Sequence, residues 1–156
     1  MYTFGKAMGI HGACVVGSKH LIEYLINFGR SFVYTTASPP HHVAAIDCAF
    51  DYLQKNIHLQ ETLNQKISLF SKLTKDLTNK IESTSAIHAI IIEGNTRIRN
   101  ISSDLQREGF DVRPILSPTV QPGSERLRLC LHTYNTDEEI KQLVNSMKSI
   151  KHRHQQ

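Results

Sequence analysis

Two hydrophobic periods divide the chain. From Ile46 the apolar residues Phe50, Leu53, Ile57, Leu63, Ile67, Phe70, Leu73, Leu77 and Ile81 recur mostly at three- and four-residue steps, with polar residues between them. That spacing keeps one side of a 3.6-residue helix apolar and predicts a helical segment over residues 41–84. The step from Ile57 to Leu63 is irregular and predicts a kink or two helices. Further on the period shortens. Ile87 to Ile92 reads as a strand, and Leu127, Leu129 and Leu131 alternate strictly with Arg126, Arg128, Cys130 and His132, the period of a half-buried strand. Phe110 to Leu116 reads as a third strand, which Pro114 places at a sheet edge or bulge. Between the strands, Asn95 is placed to cap a helix carrying Ile98, Ile101 and Leu105 that Gly109 stops. Thr136 and Glu139 form a capping box opening a last helix with Ile140, Leu143, Val144, Met147 and Ile150. Upstream, Gly12 to Val16 reads as a buried strand, and Leu21, Ile22, Leu25 and Ile26 as a short helix ending near Gly29. Phe32 to Thr36 reads as a strand closed by Pro39-Pro40. The order implies an α/β opening and an α+β close, with helices on one face of a small sheet.

Length changes this picture little: 156 residues suit one domain of ordinary size. No apolar run approaches the ~20 residues of a membrane helix, and no basic-then-apolar leader opens the chain. Cys14, Cys48 and Cys130 are widely spaced without a C-x-x-C, which argues against disulfides and zinc and fits a reducing cytoplasm. The net charge of +4 owes much to a tail, Lys148 to His154, that lacks interleaved aromatics and reads as solvated rather than nucleic-acid binding. His41-His42 follows Pro39-Pro40 and reads as a helix start, because adjacent histidines alone define no metal site. No metal and no nucleic acid are expected.

Candidate chemistry concentrates at Lys6, in the run Thr3-Phe4-Gly5-Lys6-Ala7-Met8-Gly9-Ile10-His11-Gly12-Ala13. Ala7 after the lysine excludes the G-x-x-x-x-G-K-[ST] phosphate loop, and the glycine spacing excludes G-x-G-x-x-G. A lysine amine can condense with an aldehyde, which makes it a natural anchor for pyridoxal phosphate. The run resembles the lysine block T-[FL]-G-K-[AG]-x-G-x-x-G of the α-oxoamine synthases, pyridoxal-phosphate enzymes of fold type I. Phe32-Val33-Tyr34-Thr35-Thr36-Ala37-Ser38-Pro39-Pro40 resembles their [FY]-[ST]-T-x-x-P-P block. Ser117-Pro118-Thr119-Val120-Gln121-Pro122-Gly123, running into Arg126-Leu127-Arg128-Leu129, is similar to a third.

The resemblance implies the C-terminal part of a fold type I transferase. Residues 1–40 would be the end of the large cofactor-binding domain, 41–84 a helical link, and 85–156 a small α+β domain with an antiparallel sheet. It implies an acyltransferase that joins an acyl-CoA to an amino acid with loss of carbon dioxide. The wording of the third block is closest to the member using a pimeloyl thioester and L-alanine in biotin biosynthesis. The alternatives are a sibling acting on other substrates, such as acetyl-CoA and glycine, or a non-catalytic piece that folds or dimerises. By the same resemblance Lys6 is the catalytic lysine, and Thr3, Thr35 and Thr36 are cofactor-binding, the last two at positions that reach the phosphate of the neighbouring subunit's cofactor. Consecutive threonines in a strand point to opposite faces, so one side chain reaches it and the other offers its backbone N–H. Thr119 and Arg128 are substrate-binding, and Arg126 is the neighbour of Arg128 on the same face of the strand. A homodimer follows. A guanidinium suits a carboxylate because its fork makes two parallel charge-assisted hydrogen bonds. His11 is read as structural. The three blocks cover only the C-terminal half or less of a family member. A fragment is therefore expected, one that alone binds pyridoxal phosphate weakly and turns over no substrate.

Overall fold

The computed structural model describes residues 1–153, with side chains as far as Ile150, so most of the basic tail lies outside the described side chains. The chain divides into two compact units, Met1–Ile57 and His58–Gln156.

In the first unit, β1 (Tyr2–Thr3) and β2 (Ala13–Cys14) pair antiparallel, with Tyr2 opposite Cys14 and Thr3 opposite Ala13. Helix α1 (Lys19–Phe28) starts where the Ser18 hydroxyl accepts the Leu21 N–H at 3.3 Å. It ends where the Gly29 N–H closes onto the Leu25 carbonyl at 2.9 Å. Helix α2 (Pro40–Lys55) opens on Pro40, where a missing N–H costs nothing. His41 and His42 therefore lie in its first turn, as expected.

Two strand expectations fail here. Gly12 to Val16 yields only the two residues of β2, and Val15 and Val16 are exposed. Phe32 to Thr36 is no strand at all. The N–H groups of Phe32 and Val33 both turn back to the Gly29 carbonyl, at 2.7 and 2.8 Å, and Tyr34 has a left-handed φ of 67°. Aromatic and β-branched residues favour strands because they pack on a pleated, half-buried surface. Phe32 and Tyr34 have no such surface within the unit and are exposed.

The helical stretch is broken as its spacing implied. Asn56 and Ile57 separate α2 from α3 (His58–Leu73), and the Asn56 side chain donates to the Tyr52 carbonyl at 2.8 Å. The stripe does not run on to Ile81. Thr74, fully buried, donates its hydroxyl to the Phe70 carbonyl at 2.7 Å and satisfies the helix end. Leu77 then lies between two turns, and Ile81 lies in β3 (Lys80–Ile81).

The second unit is built on a four-stranded antiparallel sheet in the order β3-β4-β6-β5, with β4 at Ile87–Ile91, β5 at Arg113–Ile115 and β6 at Arg126–Cys130. Pro114 does lie in an edge strand. Ile90, Leu127 and Leu129 face a core completed by Phe70 of α3, by Ile98, Ile101 and Leu105 of α4 (Asn95–Arg107), and by Ile140, Val144, Met147 and Ile150 of α5 (Asp137–Arg153). The capping box holds: the Thr136 N–H donates to Glu139 Oε2 at 2.8 Å, and the Glu139 N–H to Thr136 Oγ1 at 3.1 Å. Asn95 does not cap. The cap position is Gly94, with no side-chain cap bond, and the Asn95 amide is engaged with Ser117 instead.

Candidate active site

Lys6 stands at the end of a hairpin. Beyond the β1–β2 pair, the Phe4 N–H donates to the Gly12 carbonyl (2.9 Å) and the Ile10 N–H to the Phe4 carbonyl (3.1 Å). The Gly9 N–H closes a tight turn onto the Lys6 carbonyl (2.9 Å), with Gly9 at φ 64°. The base of this loop is fastened to α2. Phe4, 4% exposed, packs edge-on against Phe50 with ring centroids 5.8 Å apart. Gly12 lies so close to α2 that a Cβ there would come within 3.0 Å of Ile46 Cδ1, and its φ of 138° further favours glycine. A seated base thus carries an exposed tip. Lys6 is exposed, and its amine has no hydrogen bond or ion pair among the described residues.

Thr3 lies in β1 of the same hairpin, exposed, three residues before Lys6. Thr35 and Thr36 follow the Tyr34 turn. Both donors of Thr35 are used locally: its hydroxyl goes to the Ser31 carbonyl at 2.9 Å and its N–H to the Phe32 carbonyl at 3.1 Å. Thr36 is exposed and its hydroxyl has no partner among the described residues. The expectation that consecutive threonines point to opposite faces of a strand fails with the strand, and this division of donors replaces it. The His11 ring lies 5.6 Å from that of His42 at a tilt, so it helps lay the hairpin on α2.

Thr119 and Arg128 belong to the second unit. Arg128 is exposed on the sheet face opposite the leucines, flanked in register by Ala89 of β4 and Arg113 of β5. Arg113 is met by Asp111, Nε to Oδ1 at 2.6 Å, whereas the Arg128 guanidinium has no partner among the described residues. Arg126 is half-buried and spends its Nε–H on the Ser124 carbonyl at 2.9 Å, which sets it apart from Arg128. A cleft of about 480 Å³ opens beside Arg128, with Arg113, His132, Tyr134 and Glu139 in its lining. Arg113 already has a carboxylate partner in Asp111, so of the two guanidiniums in register Arg128 is the one left to take an anion.

Thr119 is exposed, within the segment leading from Leu116 to β6. Two residues hold this segment: Asn95, which the sequence marks only as a helix cap, and Glu125, which it does not mark at all. Asn95 Oδ1 accepts the Ser117 N–H at 3.0 Å, and Asn95 Nδ2 donates to the Ser117 carbonyl at 3.1 Å. Glu125 is 3% exposed, and its Oε2 accepts the N–H groups of Gly123 (2.9 Å) and Gly94 (3.1 Å). Its own backbone N–H and those of Gly94 and Gly123 hold the carboxyl below the usual range, against the opposing effect of burial. An isolated Glu beside a strand carries no spacing signal. Only the fold reveals its partners.

Residues 1–147 match the model of the family described as aminotransferase class I and II. The chain belongs to that family. Among its curated relatives is an 8-amino-7-oxononanoate synthase of Photorhabdus laumondii, 36% identical over 146 residues, an alignment spanning 93% of this chain and 38% of the relative. The solved 8-amino-7-oxononanoate synthase from Francisella tularensis superposes with a TM-score of 0.81 at 28% identity, covering 97% of this chain and 45% of that one. A serine palmitoyltransferase from S. paucimobilis with bound PLP-myriocin has the same fold, with a TM-score of 0.82 at 20% identity over 98% of this chain and 39% of that one. This aminotransferase-family chain therefore spans about 38% of the length of the curated relative it matches. Its mixed architecture is the expected one for the C-terminal part of a fold type I transferase. No helix among the described residues is long and apolar enough to cross a membrane.

Proposed function

We propose that the chain is the C-terminal part of a pyridoxal-phosphate-dependent acyltransferase that condenses an acyl-CoA with an amino acid with loss of carbon dioxide. The reading is 8-amino-7-oxononanoate synthase, acting on a pimeloyl thioester and L-alanine. The observation that carries it is the unpartnered amine of Lys6 at the tip of a hairpin seated on α2. The donor set fits pyridoxal phosphate: an amine for the aldehyde, with the Thr3 hydroxyl on the same hairpin and the Thr36 hydroxyl free to donate to a phosphate. Thr35, with both donors engaged, supports the turn that presents Thr36.

When bound, pyridoxal phosphate supplies an electron sink for the amino acid's α-carbon. The remaining work belongs to the chain. The Lys6 amine removes the α-proton as general base, and the seated hairpin base fixes where its side chain starts. Arg128 holds the substrate carboxylate in its two-pronged fork, and Thr119 adds a hydroxyl contact. In this reading 1–40 close the large cofactor-binding domain, 41–84 form the link and 85–156 the small domain, within a cytoplasmic homodimer.

The anchor is tested apart from turnover. Incubation with pyridoxal phosphate followed by borohydride reduction and peptide mass spectrometry is expected to fix a pyridoxyl group on Lys6 in preference to the other lysines, and Lys6→Ala to abolish that label. Equal labelling of all exposed lysines overturns the assignment. For the reaction, residues 1–147 replace the corresponding stretch of the Photorhabdus relative. The chimera is expected to release CoA with pimeloyl-CoA plus alanine; preference for acetyl-CoA plus glycine points to a sibling enzyme, and no release with either leaves a folding piece.

A further inference from the structure

We propose that Asn95 and Glu125 are positioning residues: together they clamp the segment Ser117–Gly123 to the start of α4 and thereby set Thr119 beside the strand that carries Arg128. The inference rests on the reading of Thr119 and Arg128 as substrate-binding. The two contacts fall at opposite ends of the segment. At its beginning, the Asn95 side chain matches the backbone of Ser117 as a second peptide would, accepting the N–H at 3.0 Å and donating to the carbonyl at 3.1 Å. At its end, one oxygen of Glu125 gathers the Gly123 N–H from the segment and the Gly94 N–H from the helix start.

Between these points the segment has little else. Val120 N–H reaches the Leu116 carbonyl at 3.2 Å and Ser124 N–H the Gln121 carbonyl at 2.9 Å, both local turn bonds. Thr119 is exposed between them. Glu125 has no ion pair among the described residues, so backbone N–H groups alone meet its charge. A buried carboxylate is costly unless its oxygens are satisfied, and a turn needs no carboxylate to form. The arrangement gains something a neutral residue would not: a charge-assisted bond, stronger than a neutral one, from each of two chain segments. Asn95 has likewise given up the helix-capping role its residue type favours, leaving Gly94 at the cap with a φ of 91°. Both side chains thus serve the segment rather than the helix. Neither touches substrate in this scheme.

The test combines amide exchange in the full chain with kinetics of a holoenzyme, the pyridoxal-phosphate-loaded chimera in which residues 1–147 replace the corresponding stretch of the Photorhabdus relative. In Glu125→Ala and Asn95→Ala, exchange at Gly94, Ser117 and Gly123 is expected to rise about tenfold or more, while Leu127 and Leu129 stay protected. In the holoenzyme the KM for the amino acid is expected to rise about tenfold with kcat changed less than twofold, the signature of lost binding rather than lost chemistry. Glu125→Gln and Asn95→Asp, which keep an acceptor oxygen in place, are expected to recover part of both effects. Unchanged exchange at Ser117 and Gly123 overturns the clamp. Faster exchange that extends to Leu127 and Leu129 with an unchanged KM reduces both residues to general stability. A wild-type holoenzyme with no turnover of amino acid and acyl-CoA sinks the acyltransferase reading instead, and the exchange measurements still decide the clamp.

Discussion

The two units differ most in what they bury. Among the described residues Phe4 is the one buried apolar side chain of Met1–Ile57, whereas the core formed by Phe70, Ile98, Leu127, Val144, Ile150 and their neighbours lies wholly in the second unit. Exposure mirrors this. Every exposed large hydrophobic belongs to the first unit except Ile81, Ile87 and Tyr134. Helices α1 and α2 bury no residue, although α1 carries Leu21, Ile22, Leu25 and Ile26. The second unit therefore has its own driving force for folding, and the first holds short-range structure with its apolar faces uncovered within the unit. The lysine lies on the lightly packed unit, the arginine on the self-sufficient one.

The largest test of that contrast is truncation. Leu127→Ala, at a side chain 1% exposed, is expected to lower the unfolding free energy by about 2–5 kcal/mol, because it loses transfer energy and leaves a cavity. Leu21→Ala, at 42% exposed in α1, is expected to stay within about 0.5 kcal/mol. Urea unfolding of both variants reads the comparison directly. Similar losses at the two sites erase it.

How far this division was legible in the sequence follows from the same physics. The alternation at Leu127, Leu129 and Leu131 predicted a strand and its buried face, because side chains on a strand have only two directions to choose between. The Thr136–Glu139 box was legible for a similar reason, as cap and partner are close in sequence. Phe32 to Thr36 misled because strand formation needs a neighbour, and residue type does not supply one. Leu77 and Ile81 kept helical spacing past the point where Thr74 had already satisfied the helix end. At the candidate site, Lys6 and Arg128 stood out through local pattern. Glu125 did not, and Asn95 stood out only as a helix cap, since the pairings of Asn95 with Ser117 and of Glu125 with Gly94 span separations that only the tertiary fold closes.

Acid sharpens the comparison next. His88 of β4 is fully buried against Phe70, ring centroids 4.6 Å apart, and neither ring nitrogen has a hydrogen-bond partner among the described residues. Burial, and then the nearby Lys80, push its pKa below the usual histidine value; Glu82 opposes them more weakly. Between that lowered value and the ordinary one, the unfolded chain takes up a proton that the folded chain refuses. Stability of the second unit is therefore intact above about pH 6.5 and falls as pH drops from there toward the folded value. Urea midpoints taken from pH 7.5 to 5 are expected to fall in wild type and to flatten in His88→Phe. If His88→Phe misfolds, NMR titration of the His88 ring in wild type decides the matter, and a pKa at or above 6.5 overturns it.

The smallest effect compares like with like, because each unit has a helix capped by a hydroxyl. Ser18 accepts the Leu21 N–H in α1, and Thr136 accepts the Glu139 N–H in α5. Replacing such a cap by alanine costs about 1 kcal/mol of helix stability. That loss reaches the global unfolding free energy only where the helix is tied to the core. Helix α5 is tied through Ile140, Val144, Met147 and Ile150, so Thr136→Ala is expected to lower the urea midpoint by nearly the full amount. Helix α1 buries nothing, so Ser18→Ala is expected to leave that midpoint unchanged and to appear only as faster amide exchange in the first turn of α1. Equal shifts in the two midpoints would mean that α1 is packed as firmly as α5, and that the exposed leucines and aromatics of the first unit are covered in solution.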